Sequence, residues 1–209
     1  MTDIINLILI IIGIILASRL VSWISKRVSL CIKLSSLKGM CGARITYRRS
    51  PFLPMCFMSD QADIIVEILD TVYLIRLYSG GDFTKYVHFA DTRYSVIFSR
   101  INAGRFAASS RIASRLITLA DTALNIGMRV KLMPEFNVSD DERFYRKNVV
   151  RVLLFNPAPH EVTYVTEETT SIRTAFDGDE IYGMKVFTAS SFVAHADRET
   201  RKDDSFIYF

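Results

Sequence analysis

The chain opens on an unbroken apolar run. From Ile4 to Ala17 only Asn6 is polar, and the apolar character continues past Arg19 and Trp23 to Ile24. At about 1.5 Å of rise per residue, Ile4–Ile24 covers roughly 31 Å as a helix, close to the hydrocarbon thickness of about 30 Å. The pattern predicts a transmembrane anchor over residues 1–25. Ile4, Ile11 and Ile15 are among its anchoring side chains, Arg19 snorkels towards the headgroups, and Trp23 falls at the interface. A cleaved leader would need a positive start and a small-x-small cleavage site. Met1-Thr2-Asp3 carries no cation and Ala17-Ser18 runs straight into Arg19, so the anchor is expected to stay in place.

Helical spacing continues from Lys26 to Met40. Val28, Cys31, Ile32 and Leu37 lean to one side, with Lys26, Arg27, Lys33 and Lys38 elsewhere, and Gly39 is the expected stop. These four cations are expected to meet the lipid surface, with the segment lying near the headgroups or packing on the domain. Gly42 to Asp60 reads as a linker, because Arg48-Arg49-Ser50-Pro51 and Leu53-Pro54 interrupt regular structure. Residues 26–60 thus form a basic juxtamembrane helix and linker.

From residue 61 the period changes to two. Asp63–Leu69 and Val72–Tyr78 predict a hairpin about Asp70-Thr71, and Tyr86–Ala90 and Tyr94–Phe98 add strands. Ile101–Asn125 switches to helical spacing. Ile112, Leu116 and Leu119 lie on its buried stripe, Arg111 and Arg115 on its open face, and Gly127 ends it. Met128–Met133 is a short strand, and Ser139 opens a short polar helix through Lys147. Val149–Phe155 is a buried strand stopped at Asn156-Pro157. Val162–Thr166 and Ile181–Phe187 read as strands, Asp177-Gly178 as a turn, and Ser190–Arg201 as a helix. The fold class is α+β: an N-terminal transmembrane helix, then a single domain over 61–209 with a mostly antiparallel sheet and one long packed helix. Its expected core contains Ile65, Leu74, Ile75, Val96, Leu116, Leu119, Leu153, Leu154 and Val186.

Charge sets the expected orientation. The net charge of +4 divides unevenly: residues 1–59 hold eight cations and one anion, leaving 18 cations against 21 anions in the rest. All eight cations follow the apolar core of the anchor, so the positive-inside rule puts the large C-terminal part in the cytoplasm at the cell membrane. Basicity is concentrated where anionic lipid would attract it. The mildly acidic remainder disfavours nucleic acid as a partner. Cys31, Cys41 and Cys56 form no CxxC pair, which suits free thiols in a reducing compartment. Cys31 is near enough to the membrane to be a lipidation candidate, although a small residue packed on a helix is the simpler reading.

The chemistry-bearing motifs are sparse. His88, His160 and His195 stand far apart, outside any HExxH or Cys/His pattern, and read as structural or surface residues. Asp177-Gly178-Asp179-Glu180 lacks the glycine and glutamate positions of a calcium loop and is better read as a turn. No GxSxG elbow or phosphate-binding glycine loop is present, so no catalytic residue, metal ligand or cofactor is assigned. Asp63, Arg111 and Arg115 remain as candidate ligand-binding positions. Asp63, then Tyr73-Leu74-Ile75-Arg76-Leu77-Tyr78, in the order helix, three strands, long helix, strand, resembles the restriction-endonuclease-like superfamily. The resemblance places Asp63 at the family's first acidic position. Arg76 and Tyr78 occupy the places of its acid-x-lysine motif, so it implies a metal-dependent nuclease-like or nucleic-acid-binding domain with a degenerate site. The favoured expectation is a non-catalytic interaction or scaffold domain held at membrane lipid, with another protein as partner.

Overall fold

The computed structural model describes residues 2–48, 62–78, 84–89, 94–99, 129–132, 144, 146–166 and 171–205. Helix α1 (Thr2–Cys41) is one uninterrupted element of 40 residues, about 60 Å long at the usual rise. Its N-terminal half is exposed and apolar, and the helix is long and apolar enough to cross a membrane. Its C-terminal half is built differently. Leu30, Leu34 and Leu37 recur at helical spacing and are fully buried, with Arg27 buried one turn ahead of them. The helix runs through Gly39 and ends at Gly42, whose φ of 61° is the left-handed conformation that glycine supplies at helix ends. Ala43 N–H closes the last turn on the carbonyl of Leu37 at 3.3 Å.

Among the described residues eleven strands follow: β1 (Arg44–Tyr47), β2 (Ile64–Ile68), β3 (Thr71–Tyr78), β4 (Lys85–Phe89), β5 (Tyr94–Ser99), β6 (Arg129–Leu132), β7 (Asn148–Phe155), β8 (Glu161–Val165), β9 (Ile172–Thr174), β10 (Glu180–Ile181) and β11 (Met184–Thr188). Helix α2 (Ala189–Ser205) comes last. The strands form a six-stranded sheet in the order β1-β2-β3-β7-β11-β10 and a five-stranded sheet in the order β6-β5-β4-β8-β9. The α+β class stands, with both sheets mixed. Antiparallel pairs are the more numerous, but β7 runs parallel to β3 and β11, and β4 parallel to β8. β7 is flanked on both sides, and its second half, Val152–Phe155, is buried on both faces, as its continuous apolar run allows, while Arg151 just before it is exposed.

Alternation along the first sheet sorts its side chains into two layers. Ile64, Val66 and Ile68 of β2, Tyr73, Ile75 and Leu77 of β3, and Val152 and Leu154 of β7 meet the leucines of α1 and Phe192 and Ala196 of α2. On the opposite face Tyr78, Leu153, Phe155, Met184 and Val186 pack against Val87, Phe89, Ile97 and Val162 of the second sheet. Ile65, Val72 and Leu74 form a smaller cluster with Phe144. The expected core residues Ile65, Leu74, Ile75, Val96, Leu153, Leu154 and Val186 are all buried. Leu116 and Leu119, with the helix expected over 101–125, lie outside the described residues.

Three local expectations are corrected. Arg44–Tyr47, placed in the linker, is an edge strand antiparallel to β2. The hairpin turn is Leu69-Asp70, since Ile68 pairs with Thr71, and Leu69 takes a φ of 50°. Residues 181–187 are two strands folded back at Tyr182-Gly183, both at positive φ, with Ile181 opposite Met184. Gly183 and a tight two-residue loop together explain why the apolar alternation there continues through a reversal.

Candidate functional site

Buried charge gathers where α1 meets the start of β2. Continuing the hairpin register outward from Ile64 opposite Ile75 sets Asp63 opposite Arg76. Arg76 Nη1 lies 3.7 Å from Asp63 Oδ1, and Leu77 N–H donates to Oδ2 at 2.9 Å. The Asp63 backbone is tied as well: its N–H donates to Ile75 and its carbonyl accepts from Arg48. Arg27 reaches this cluster from the helix. Burial holds its guanidinium below the ordinary value, while attraction to the Asp63 carboxylate acts the other way. Its guanidinium carbon also stands 5.7 Å from the ring centre of Trp23. Both carboxylate oxygens of Asp63 are engaged within the sheet, by Arg76 and Leu77, with Arg27 of α1 an attractive charge nearby.

The remaining expected positions scatter. Ile4, Ile11 and Ile15 are exposed on the apolar half of α1, as is Arg19, and Trp23 is half-buried. Lys26 and Lys38 are exposed, whereas Lys33 Nζ donates to Ser190 Oγ at 2.8 Å at the start of α2. Arg27 is buried, its side chain turned into the protein beside Asp63. Arg111 and Arg115 lie outside the described residues, so their relation to Asp63 is not part of the geometry. Cys31 stands against the Tyr47 hydroxyl, and burial together with that neighbour pushes the Tyr47 phenol up to about 12. No protein-family model matches this chain, and no curated protein or solved structure matches it.

Elsewhere the buried polar groups are satisfied by neighbours. Tyr78 Oη and Ser95 Oγ share a hydrogen bond of 2.9 Å, and burial, partly offset by that bond, pushes the Tyr78 phenol up to about 12. His88 Nδ1 lies 2.9 Å from Thr163 Oγ1, and burial lowers the imidazole to about 4. His195 packs its ring 4.9 Å from that of Phe187, and His160 sits 5.0 Å from Tyr86. Among the described residues no group of three or more His, Cys, Asp or Glu is placed to hold a metal ion.

Asn156 and Ser190 were not singled out by the sequence as contacts of α1. Asn156 Nδ2 donates to the Lys26 carbonyl at 3.0 Å, which joins the end of β7 to the helix just beyond its apolar half. The partnership of Asp63 with Arg76 was available from hairpin counting, provided the turn was placed at Leu69-Asp70. The contacts of Asn156 and Ser190 are long-range and leave no local signature.

Proposed function

We propose that this chain is a single-pass membrane protein whose domain serves as a non-catalytic interaction or scaffold module at the cytoplasmic face of the cell membrane. One observation carries the reading: α1 is continuous from an exposed apolar half into a half that forms part of the domain core. A domain built onto such a helix is held at the bilayer surface with little freedom to leave it. The cations that follow the apolar core support the cytoplasmic side. The engaged carboxylate of Asp63, salt-bridged to Arg76 and bonded to Leu77 N–H, supports a structural role where a nuclease would need a metal-binding acid. Another protein, met at the membrane surface, is the expected partner.

Topology and chemistry are tested on the full chain in membranes. With the native cysteines replaced by alanine, an Arg173→Cys probe on exposed β9 should resist an impermeant thiol reagent on intact cells and react after permeabilisation. Labelling on intact cells would reverse the orientation. Divalent-ion-dependent DNA cleavage that disappears in Asp63→Ala would overturn the scaffold reading.

A further inference from the structure

On the membrane reading proposed above, the hydrogen bond from Asn156 to the Lys26 carbonyl sets which end of the domain meets the bilayer. Lys26 follows Ile24 by about 3 Å of helix rise. The headgroup layer is about 5–8 Å deep on each side of the hydrocarbon, so the bond falls at headgroup height. The register carries that level across the first sheet. Phe155 pairs with Tyr78 on one side and Thr188 on the other, so β3, β7 and β11 all end here. The opposite end, at the Leu69-Asp70 turn, is the length of β3 away, roughly 25 Å.

Two described loops close the end beside α1. Residues 156–160 lead from β7 into β8, and His160 N–H donates to the Lys85 carbonyl at 2.8 Å, where β4 begins. Ala158 and His160 are exposed, with Pro157 and Pro159 half-buried. Residues 175–179 follow β9, whose Thr174 hydroxyl donates to Glu161 at the start of β8. Asp177 Oδ1 pins this loop to the end of β11 by accepting from Thr188 N–H at 2.8 Å. Phe176 N–H donates to Asp179 Oδ2, and Asp179 N–H donates back to the Phe176 carbonyl. The turn is fixed by these bonds, yet the Phe176 side chain that it holds out leaves the residue 70% exposed.

A single exposed ring means little by itself. Its place gives it a partner. Outside α1 the large apolar residues left exposed among the described ones are Leu69, Ile172 and Phe176, and Leu69 turns at the far end. We infer that Phe176 and the Pro157-Ala158-Pro159 tip form a second membrane contact, resting in the headgroup layer of the bilayer that α1 crosses. The boundary between headgroups and acyl chains accepts an aromatic ring. Neighbouring strands stand about 4.8 Å apart, so the loop pinned to Thr188 is close to Asn156 and at nearly its height. The Asp177 and Asp179 carboxylates of this loop each accept from a backbone N–H. One ring orients a domain that α1 already holds, and would not bind the bilayer without the anchor.

Quenching by nitroxide lipids tests this on the full chain in phosphatidylcholine vesicles, with Cys31, Cys41 and Cys56 replaced by alanine. A thiol-reactive fluorophore is placed in turn at Phe176→Cys, Ala158→Cys, Asp70→Cys and Ile11→Cys, all exposed positions. A headgroup nitroxide should quench the first two several-fold more strongly than Asp70→Cys at the far end. If either of them only matches Asp70→Cys, the contact is overturned. Ile11→Cys, read with a nitroxide in the acyl chains, reports on the anchor separately. An unquenched Ile11→Cys overturns the membrane reading and this proposal with it, whereas a quenched one beside equal quenching across the domain overturns the contact alone.

Discussion

His88 sits in β4 with its ring almost wholly buried, directly across from Thr163 of β8. Its lowered value of about 4 means that the folded chain holds a neutral imidazole where the unfolded chain binds a proton near the ordinary 6.5. Between those two values the unfolded state carries more protons, so stability rises with pH there, and is lost as pH falls from about 6.5 to 4. From pH 7 to 4.5 the expected loss is about 2 to 3 kcal/mol, with little more below pH 4. Urea unfolding of the full chain in detergent should show this loss, and His88→Gln should remove most of it. Equal pH slopes in the two proteins would refute the assignment. Burial of this kind was not legible in the sequence, where His88 was a lone histidine between Val87 and Phe89. Asp63 shows the opposite case. Moving the hairpin turn by one residue, from Asp70-Thr71 to Leu69-Asp70, changes the side chain opposite Asp63 from Tyr78 to Arg76.

At the scale of elements, the apolar run and the period-two stretches identified α1, β2 to β8 and α2 because each carries its own pattern. What stayed hidden was set by contacts distant in sequence. β1 lies within a stretch whose prolines point to a linker, and it becomes a strand only because β2 pairs with it. The basic segment after the apolar run packs its leucine face into the domain core, through Leu30, Leu34 and Leu37. Leu30, Leu34 and Leu37 each contribute about 1.5–3 kcal/mol by burial, a sum comparable to a typical folding stability of about 5–15 kcal/mol. A fragment of residues 26–209 is therefore expected to unfold cooperatively, and one of residues 43–209 to lack a cooperative transition. Denaturant titrations of the two decide it, and equal midpoints would show that the helix is dispensable to the core.

For the whole molecule, the consequence of one continuous helix is mechanical. An ordinary linker between anchor and domain would let the domain tumble, whereas α1 offers no break between the apolar half and the docked half. The junction is tied by Asn156 on the Lys26 carbonyl, and the buried Arg27 guanidinium is attracted to Asp63. Domain height and rotation relative to the bilayer should accordingly be narrowly distributed. Inserting a flexible Gly-Ser segment between Ser22 and Trp23 leaves Leu30, Leu34 and Leu37 docked, so the domain's unfolding midpoint should stay at the wild-type value. Energy transfer from a fluorophore at Arg173→Cys to a lipid-bound acceptor should nevertheless broaden, because only the connection has been loosened. A distribution equally broad before and after insertion would mean that the helix already bends at the junction, and that the domain is tethered without being positioned.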